Sequence, residues 1–243
     1  MKKFIQKILT NFDNSMYPEY KCFLCGREME NYKEYLCKDC KNLIKLIKPP
    51  ICYNCGAMVE EFNYICDRCK NQPNYFDEAR ASIVFDENSA YLFHKLKYDG
   101  DRYIAKLLAK YIHKTFLDWH ITVDIIIPVP LHKNRLKLRG YNQSELIAKE
   151  LSKLTTIEVR TDIIEKVKNT KPQTKLERKE RQKNLKDAFK YVSCDKIAGK
   201  NILVLDDVVT TGSTVNEIAK VLKRHRPNKI YVISAGKTQI FER

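Results

Sequence analysis

The sequence predicts an α/β fold: a mostly parallel sheet with helices on both faces, preceded by a small N-terminal module too short to build its own core. Three observations carry this expectation. From Ala79 onward, short apolar runs of strand length alternate with stretches of helical periodicity, the pattern of consecutive strand–helix units. Ahead of Ala79, eight of the nine cysteines fall into four C-x2-C pairs. Finally, Ile202-Leu203-Val204-Leu205 runs straight into Asp206-Asp207-Val208-Val209 and then Thr210-Thr211-Gly212-Ser213-Thr214. That order is a buried central strand, two adjacent acids and a small-residue loop opening a helix.

The chain begins with residues 1–20, where Phe4, Ile5, Ile8, Leu9 and Phe12 fall on one helical face. Such an amphipathic helix packs on its own protein more often than on a membrane. The cysteine pairs follow in residues 21–73: Cys22/Cys25, Cys37/Cys40, Cys52/Cys55 and Cys66/Cys69, separated by 11, 11 and 10 residues. Each C-x2-C presents two thiolates on one knuckle, and two knuckles complete a tetrahedral zinc site. Regular spacing in a chain with no secretory signal reads as zinc rather than disulfides. Gly26 and Gly56, just after the second cysteine of a pair, suit the tight knuckle turn. Two structural Zn2+ ions are expected. With four thiolates each they keep no open position for catalysis, and they hold a segment that could not fold alone. Sequential pairing gives tandem zinc ribbons; a cross-brace of first with third and second with fourth stays open. Pro49-Pro50 separates the two ribbons and Gln72-Pro73 ends them. The remaining Cys194 reads as a small apolar filler.

Residues 75–243 form the α/β domain. Strands are expected at 81–85, 124–129, 163–167, 201–205 and 230–234. Asn88 or Ser89 caps a helix running to about Tyr98, and Asp99-Gly100 marks a turn. Ile104, Leu107, Leu108, Tyr111 and Ile112 share a helical face. Further helices are expected near 144–154, at 176–188 with high charge, and at 214–224.

An apolar fraction of 44% is ample for a core, while a formal charge of +15 and a pI near 9.3 favour an anionic partner. A generally Lys-rich, solvated surface is the bland alternative. The longest apolar runs, 125–127 and 202–205, are far too short to span a bilayer. Gln6 and Lys7 interrupt any signal-peptide core, so a cytoplasmic protein without a membrane span is expected.

Around residues 202–214 the chemistry points to a ligand with hydroxyls at one end and a phosphate at the other. Asp206 and Asp207 can accept hydrogen bonds from hydroxyls. The hydroxyls and backbone N–H groups of 210–214, at a helix N-terminus, attract a phosphate. Two adjacent carboxylates repel unless something uses them. A second string, Pro128-Val129-Pro130-Leu131-His132-Lys133-Asn134-Arg135-Leu136-Lys137-Leu138-Arg139, offers four cations in seven residues on a loop after a strand, and a pyrophosphate could sit there. A solvated basic loop is the alternative. The third string, 169–184, starts as a loop and continues into a charged helix with Arg178 and Arg181 three apart.

The first string resembles the phosphoribosyl pyrophosphate (PRPP) motif of type I phosphoribosyltransferases: four apolar residues, two acids, a spacer and Thr-Gly-x-Thr. The resemblance implies a type I phosphoribosyltransferase-like sheet, with 210–214 wrapping the 5-phosphate and Asp206 and Asp207 on the ribose, Val208 and Val209 forming the spacer. It further implies Mg2+ accompanying PRPP, Arg135, Arg139, Lys175 and Arg178 taking charge from the pyrophosphate, and a mobile loop near 169 closing over the ligand. With the cysteine array, Leu96-Lys97-Tyr98, the Pro-Val-Pro-Leu-His run, Arg139-Gly140-Tyr141-Asn142-Gln143 and Thr170-x-x-Gln173, nearly the whole chain is similar to the ComF (ComFC) family of competence-associated proteins. The second and third strings also resemble glutamine PRPP amidotransferases. This chain shows no N-terminal nucleophilic cysteine leading a glutaminase-sized domain, so ammonia production is not expected.

Two functions follow from the resemblance. One is PRPP binding in natural competence, with incoming single-stranded DNA handled in the cytoplasm beside a helicase-like partner. The basic surface and the aromatics Tyr17, Tyr20, Tyr32, Tyr35, Tyr53, Phe62 and Tyr64 would contact the DNA, unless those aromatics serve as miniature cores. The other is transfer of ribose 5-phosphate to a nitrogen acceptor. No catalytic side chain stands out for that reaction; His132 is the nearest base, and a lone loop histidine is more often a bystander.

Overall fold

The computed structural model describes residues 21–29, 34–60, 64–170 and 184–239. The helix expected over 1–20 and most of that over 176–188 lie outside the described residues. The chain divides into two compact units, Met1–Ile44 and Lys45–Arg243.

In the first unit a knuckle turn brings Gly26 N to Cys22 O at 2.8 Å, and Lys21 and Glu28 form an antiparallel bridge. Helix α1 (Lys38–Leu43) starts directly after Cys37. The second unit opens with the same design. Gly56 N donates to Cys52 O at 2.8 Å, Ile51 bridges Met58, and α2 (Asp67–Asn71) starts after Cys66. Each ribbon carries a stacked aromatic pair at 5.4 Å, Phe23–Tyr35 and Tyr53–Tyr64.

The second ribbon is built onto the sheet. Val84 N donates to Lys45 O and Ile47 N to Ser82 O, while Arg80 Nη1 reaches Tyr53 O at 2.9 Å. Gly56 makes the closest approach: a Cβ there would stand 2.5 Å from Ala79 O, at φ +67°. Gly26 has the same left-handed backbone, φ +74°, with nothing within 4 Å. Gly56→Ala is therefore expected to cost about 2–4 kcal/mol and Gly26→Ala about 1 kcal/mol, since only the first adds a backbone clash to the φ strain. Thermal unfolding of the two variants checks this, and equal losses would contradict it.

Among the described residues seven strands follow: β1 (Glu78–Val84), β2 (Ile125–Pro128), β3 (Glu158–Val159), β4 (Ile164–Lys166), β5 (Phe189–Tyr191), β6 (Asn201–Val209) and β7 (Lys229–Lys237). The main sheet has the order β1-β7-β6-β2-β3, and every pairing in it is parallel. β4 and β5 form a separate antiparallel pair. The central strands read as continuous apolar runs because both faces are covered. One face carries α4 (Ile104–Trp119), against β1 and β7, and α6 (Gln143–Thr155), against β2, β3 and β6. The other buries Ile202, Val204, Ile230 and Val232 with Val215, Ile218 and Leu222 of α7 (Ser213–Lys223), and with Ile164 and Phe189 of the small pair. Each fully buried aliphatic side chain contributes about 1.5–3 kcal/mol. Among the described residues no helix is long and apolar enough to cross a membrane.

Several expectations are corrected. The strand expected at 163–167 leaves the main sheet, because its three residues pair with β5 instead. The second string is not a loop after its prolines: Lys133–Arg139 forms α5, whose first turn is capped by His132 Nδ1 accepting from Asn134 N at 3.2 Å. His132 is 6% exposed, and this cap replaces the proton-acceptor role. The first helix is capped by Asp86, not Asn88 or Ser89: Asp86 and Ser89 form a reciprocal capping box over α3 (Glu87–His94). Beyond His94 the turn widens to a π-helix, Lys95–Asp99. Cys194 is exposed, so it fills no core.

Candidate functional site

The site is the carboxyl edge of the parallel sheet, where β6 meets the N-terminus of α7. β6 runs longer than its apolar run because it keeps pairing with β7 as far as Val209 opposite Lys237. Asp206 and Asp207 consequently lie within the strand, 8% and 4% exposed, with Val208 and Val209 after them.

Buried carboxyls need partners. Asp206 Oδ1 accepts from Ser144 Oγ at 3.2 Å and from Asp207 N at 2.9 Å. Ser144 is positioned by Asn142, whose Oδ1 caps α6 through Ser144 N and whose Nδ2 donates to Val129 O. Asp207 Oδ2 is paired with Lys97 Nζ at 2.7 Å. Lys97 belongs to the π-helix, a distortion that recurs at functional sites. Tyr141 ties that segment down by donating its hydroxyl to Leu96 O. The two acids thus have opposite environments. Burial, reinforced by the charge of Asp207, pushes the Asp206 carboxyl up to about 8. Burial also works against an ionised Asp207, but Lys97 outweighs it and holds this carboxyl below its ordinary value. Burial would depress Lys97, and Asp207 more than reverses this.

Of the cations expected here, Arg135 and Arg139 lie on α5. Arg135 donates to Thr170 O at 2.8 Å, and Arg139 donates to Gln143 Oε1 and stacks over Tyr98 at 5.2 Å. Lys175 and Arg178 lie outside the described residues. Sequence reasoning missed Lys166. Strand alternation in β4 turns Ile164 and Lys166 inward and Glu165 outward, and that two-residue period was the available signal. Lys166 is 9% exposed; burial, then repulsion from Arg135, pulls it down to about 8, with Asp206 opposing. Lys97 had stood in the sequence only as part of a family string, without a role.

The loop Thr210, Thr211, Gly212, Ser213 and Thr214 turns through Gly212 at φ +76°, which caps α7. Thr211 Oγ1 and Ser213 Oγ share a hydrogen bond at 2.8 Å. A narrow slot lined by Asp206, Val208, Val209, Thr210 and residues 212–215 opens beside it. Hydroxyls and helix N-terminal N–H groups there suit an anion.

The eight ribbon cysteines form two tetrads, Cys22/Cys25/Cys37/Cys40 and Cys52/Cys55/Cys66/Cys69, with the ligand atoms of each within 4.8 Å of one another. Pairing is sequential, and the cross-brace is ruled out. Sulfur–sulfur distances of 3.8 Å for Cys25–Cys37 and 3.7 Å for Cys55–Cys66 match the edge of about 3.8 Å that a tetrahedron with Zn–S bonds of about 2.3 Å requires. Backbone N–H groups support the thiolates: Cys37 N points at Cys22 Sγ and Cys66 N at Cys52 Sγ. Burial opposes ionisation of Cys22, but the N–H groups of Cys25, Cys37 and Leu24 bring its thiol down to about 7.

Two family models match the chain: "Double zinc ribbon domain" over residues 13–72 and "Phosphoribosyl transferase domain" over residues 137–239. The chain is 33% identical over 184 residues to Competence protein F of Haemophilus influenzae, covering 73% of this chain and 80% of that protein. It is 31% identical over 176 residues to DNA utilization protein YhgH of Escherichia coli strain K12, covering 70% and 77%. Among solved structures, glutamine PRPP amidotransferase from B. subtilis is similar at 17% identity and a TM-score of 0.37, covering 54% of this chain and 26% of that one. A likeness that partial carries no part of the assignment. The zinc ribbons, the transferase domain and the identity to both relatives agree, and the chain belongs to the ComF family.

Proposed function

We propose that the chain binds PRPP with Mg2+ and acts in competence, handling incoming single-stranded DNA in the cytoplasm beside a helicase-like partner. The observation that carries the ligand is the buried pair Asp206 and Asp207, one carboxyl neutral and the other held by Lys97, opening directly on the loop 210–214. In this reading the loop's N–H and hydroxyl groups hold the 5-phosphate, and the two aspartates take the ribose hydroxyls. Mg2+, a hard cation that takes oxygen ligands, would accompany PRPP and offset its negative charge. Arg135 and Arg139, with Lys175 and Arg178, balance the pyrophosphate charge.

The DNA role is supported by the +15 charge and by the names of the relatives. A cleft of about 540 Å³ between α4 and α6 adds to it, lined by Arg102, Tyr103, Lys106, Lys149, Lys153 and one acid, Glu150, which pairs with Lys153 as Glu145 does with Lys149. Cations flanking an aromatic ring suit a single strand. Calorimetry with PRPP–Mg2+ and, separately, with a single-stranded oligonucleotide tests both parts. PRPP heat is expected for the natural chain and not for Asp206→Asn or Asp207→Asn. DNA binding is expected to survive both changes and to weaken about fiftyfold between 50 and 200 mM salt if four phosphates are contacted. No heat with PRPP–Mg2+, or DNA binding indifferent to salt, would sink the corresponding half.

A second reading, transfer of ribose 5-phosphate to a nitrogen acceptor with release of pyrophosphate, is favoured by Lys166. A buried amine brought down to about 8 beside Asp206 can exchange a proton close to neutral pH. Release of pyrophosphate with some base or amine supports it; a broad acceptor screen without release removes it.

A further inference from the structure

The two ribbons are near repeats, but the charges between their last two cysteines are reversed, and Asp39 of the first corresponds to Arg68 of the second. The first reads Cys37-Lys38-Asp39-Cys40 and the second Cys66-Asp67-Arg68-Cys69. Asp39 is spent locally, pairing with Arg27 at 2.7 Å. The guanidinium of Arg68 has no hydrogen-bond or ion-pair partner among the described residues. It stands against the loop 210–214 instead: its Nη2 would lie 3.1 Å from a Cβ placed on Gly212.

Arg68 borders a polar cavity of about 280 Å³ with Asn71 and Asn74 from the ribbon's end and Thr211, Ser213 and Asn216 from the loop and α7. Among the described residues no carboxylate lines it, and its ionised group is Arg68. Lys237, 3% exposed at the end of β7, lies close enough to feel the repulsion of Arg68. Lys237 also feels the opposing attraction of the Cys55, Cys66 and Cys69 sulfurs, so the cation left facing the hydroxyls and amides of the cavity wall is Arg68.

The ribbon is also fixed relative to the loop. Tyr75 N, just past the ribbon, donates to Asn216 Oδ1 at 2.7 Å, and the Gly56 knuckle presses on β1. Arg68 sits between two thiolates of one tetrad, on the short helix α2 that those thiolates hold. Its reach toward Gly212 therefore depends on the metal.

We propose that the second zinc ribbon is part of the phosphate site. Arg68, held by zinc at Cys52, Cys55, Cys66 and Cys69, is the cation that contacts the phosphate end of the ligand in the loop 210–214, and zinc in that tetrad sets the affinity for phosphorylated ligand. This rests on the PRPP reading above.

The test is calorimetry of the full-length, zinc-loaded chain with two probes, PRPP–Mg2+ and ribose 5-phosphate, which share only the phosphate and hydroxyl end. Arg68→Ala is expected to weaken both by the same factor, about tenfold to a hundredfold, the loss expected for a hydrogen bond to a charged group. Two zinc ions per chain, measured by elemental analysis, confirm that the ribbon stays folded. Arg68→Lys, which keeps charge but loses the planar fork, recovers part of the affinity. Asp39→Ala, the matched change in the first ribbon, leaves both affinities unchanged. Cys69→Ser, which empties the second tetrad, weakens ribose 5-phosphate at least as much as Arg68→Ala. If the natural chain binds both probes and Arg68→Ala binds them equally well, the proposal fails while the PRPP reading stands. A loss confined to PRPP moves Arg68 to the pyrophosphate and overturns the assignment. If the natural chain binds neither probe, both readings fall.

Discussion

Asp207→Asn is expected to destabilise the protein by about 2–4 kcal/mol, whereas Asp206→Asn stabilises it by about 1–3 kcal/mol at pH 8. The change is the same one residue apart, and the surroundings decide its sign. Asp207 neutralises Lys97 at 2.7 Å. Without it the ammonium, only 25% exposed at its side chain, keeps its desolvation cost and loses its partner. Partial ionisation of Asp206 offsets some of that, which is why the expected loss falls below that of a fully buried broken pair. Asp206 has the opposite problem. Its carboxyl is pushed up to about 8, so the folded state holds a proton that the unfolded chain releases near pH 4. A raised folded pKa contributes stability that is complete below pH about 4 and lost as pH rises toward about 8. Asparagine keeps the acceptor for Ser144 Oγ and does not titrate, so its advantage grows across that window. Thermal unfolding at pH 5 and pH 8 reads both effects. Parallel curves for natural and Asp206→Asn protein at the two pH values would refute the account. Both variants give up the proposed ribose contacts, so Asp206→Asn becomes the more stable and less competent protein, the usual exchange at a functional site.

The second large effect concerns zinc. Cys69→Ser is expected to lower the zinc content from two ions to one per chain and to unfold the ribbon from Cys52 to Asn71. Structural zinc contributes about 10–16 kcal/mol to ribbon-sized folds, far more than this segment's few apolar contacts can replace. Of the second ribbon's core, Cys52, Cys55 and Cys69 are themselves the buried residues, with Ala57 and Val59 packed on them. Hydrogen exchange should show complete loss of protection there, while the central strands keep theirs because their core is built from β2, β6, β7 and α7. Cys40→Ser should move the same loss to the first ribbon, residues 22–43. Retention of both ions in either variant would mean that three thiolates suffice.

Most of the strand–helix order was legible because the parallel strands are apolar on both faces and the helices show a clear stripe. The string 202–214 named its own place at a sheet edge, and the C-x2-C spacing named its metal. Boundaries failed where a long-range partner set them. β6 continues through two acids because β7 runs alongside it, and 163–167 joins β5 rather than the main sheet. The helix hidden in the second string is short and has a capping histidine as its main local signal, so its alternating cations read as a loop.

The sequence by itself determined the α/β class, the eight cysteines as zinc ligands, the acids and hydroxyls of the phosphate-loop segment, and the family resemblance. These depend on residue type and local spacing. Only the tertiary structure decided which cysteines share a zinc, that Lys97 holds Asp207 while Asp206 is left neutral, that Lys166 lies buried within the field of Asp206, and that Arg68 of the second ribbon leans on Gly212. Each of those is a contact between residues far apart in the chain. No local pattern encodes it, because it exists only once the elements have packed and the charges have been taken out of water together.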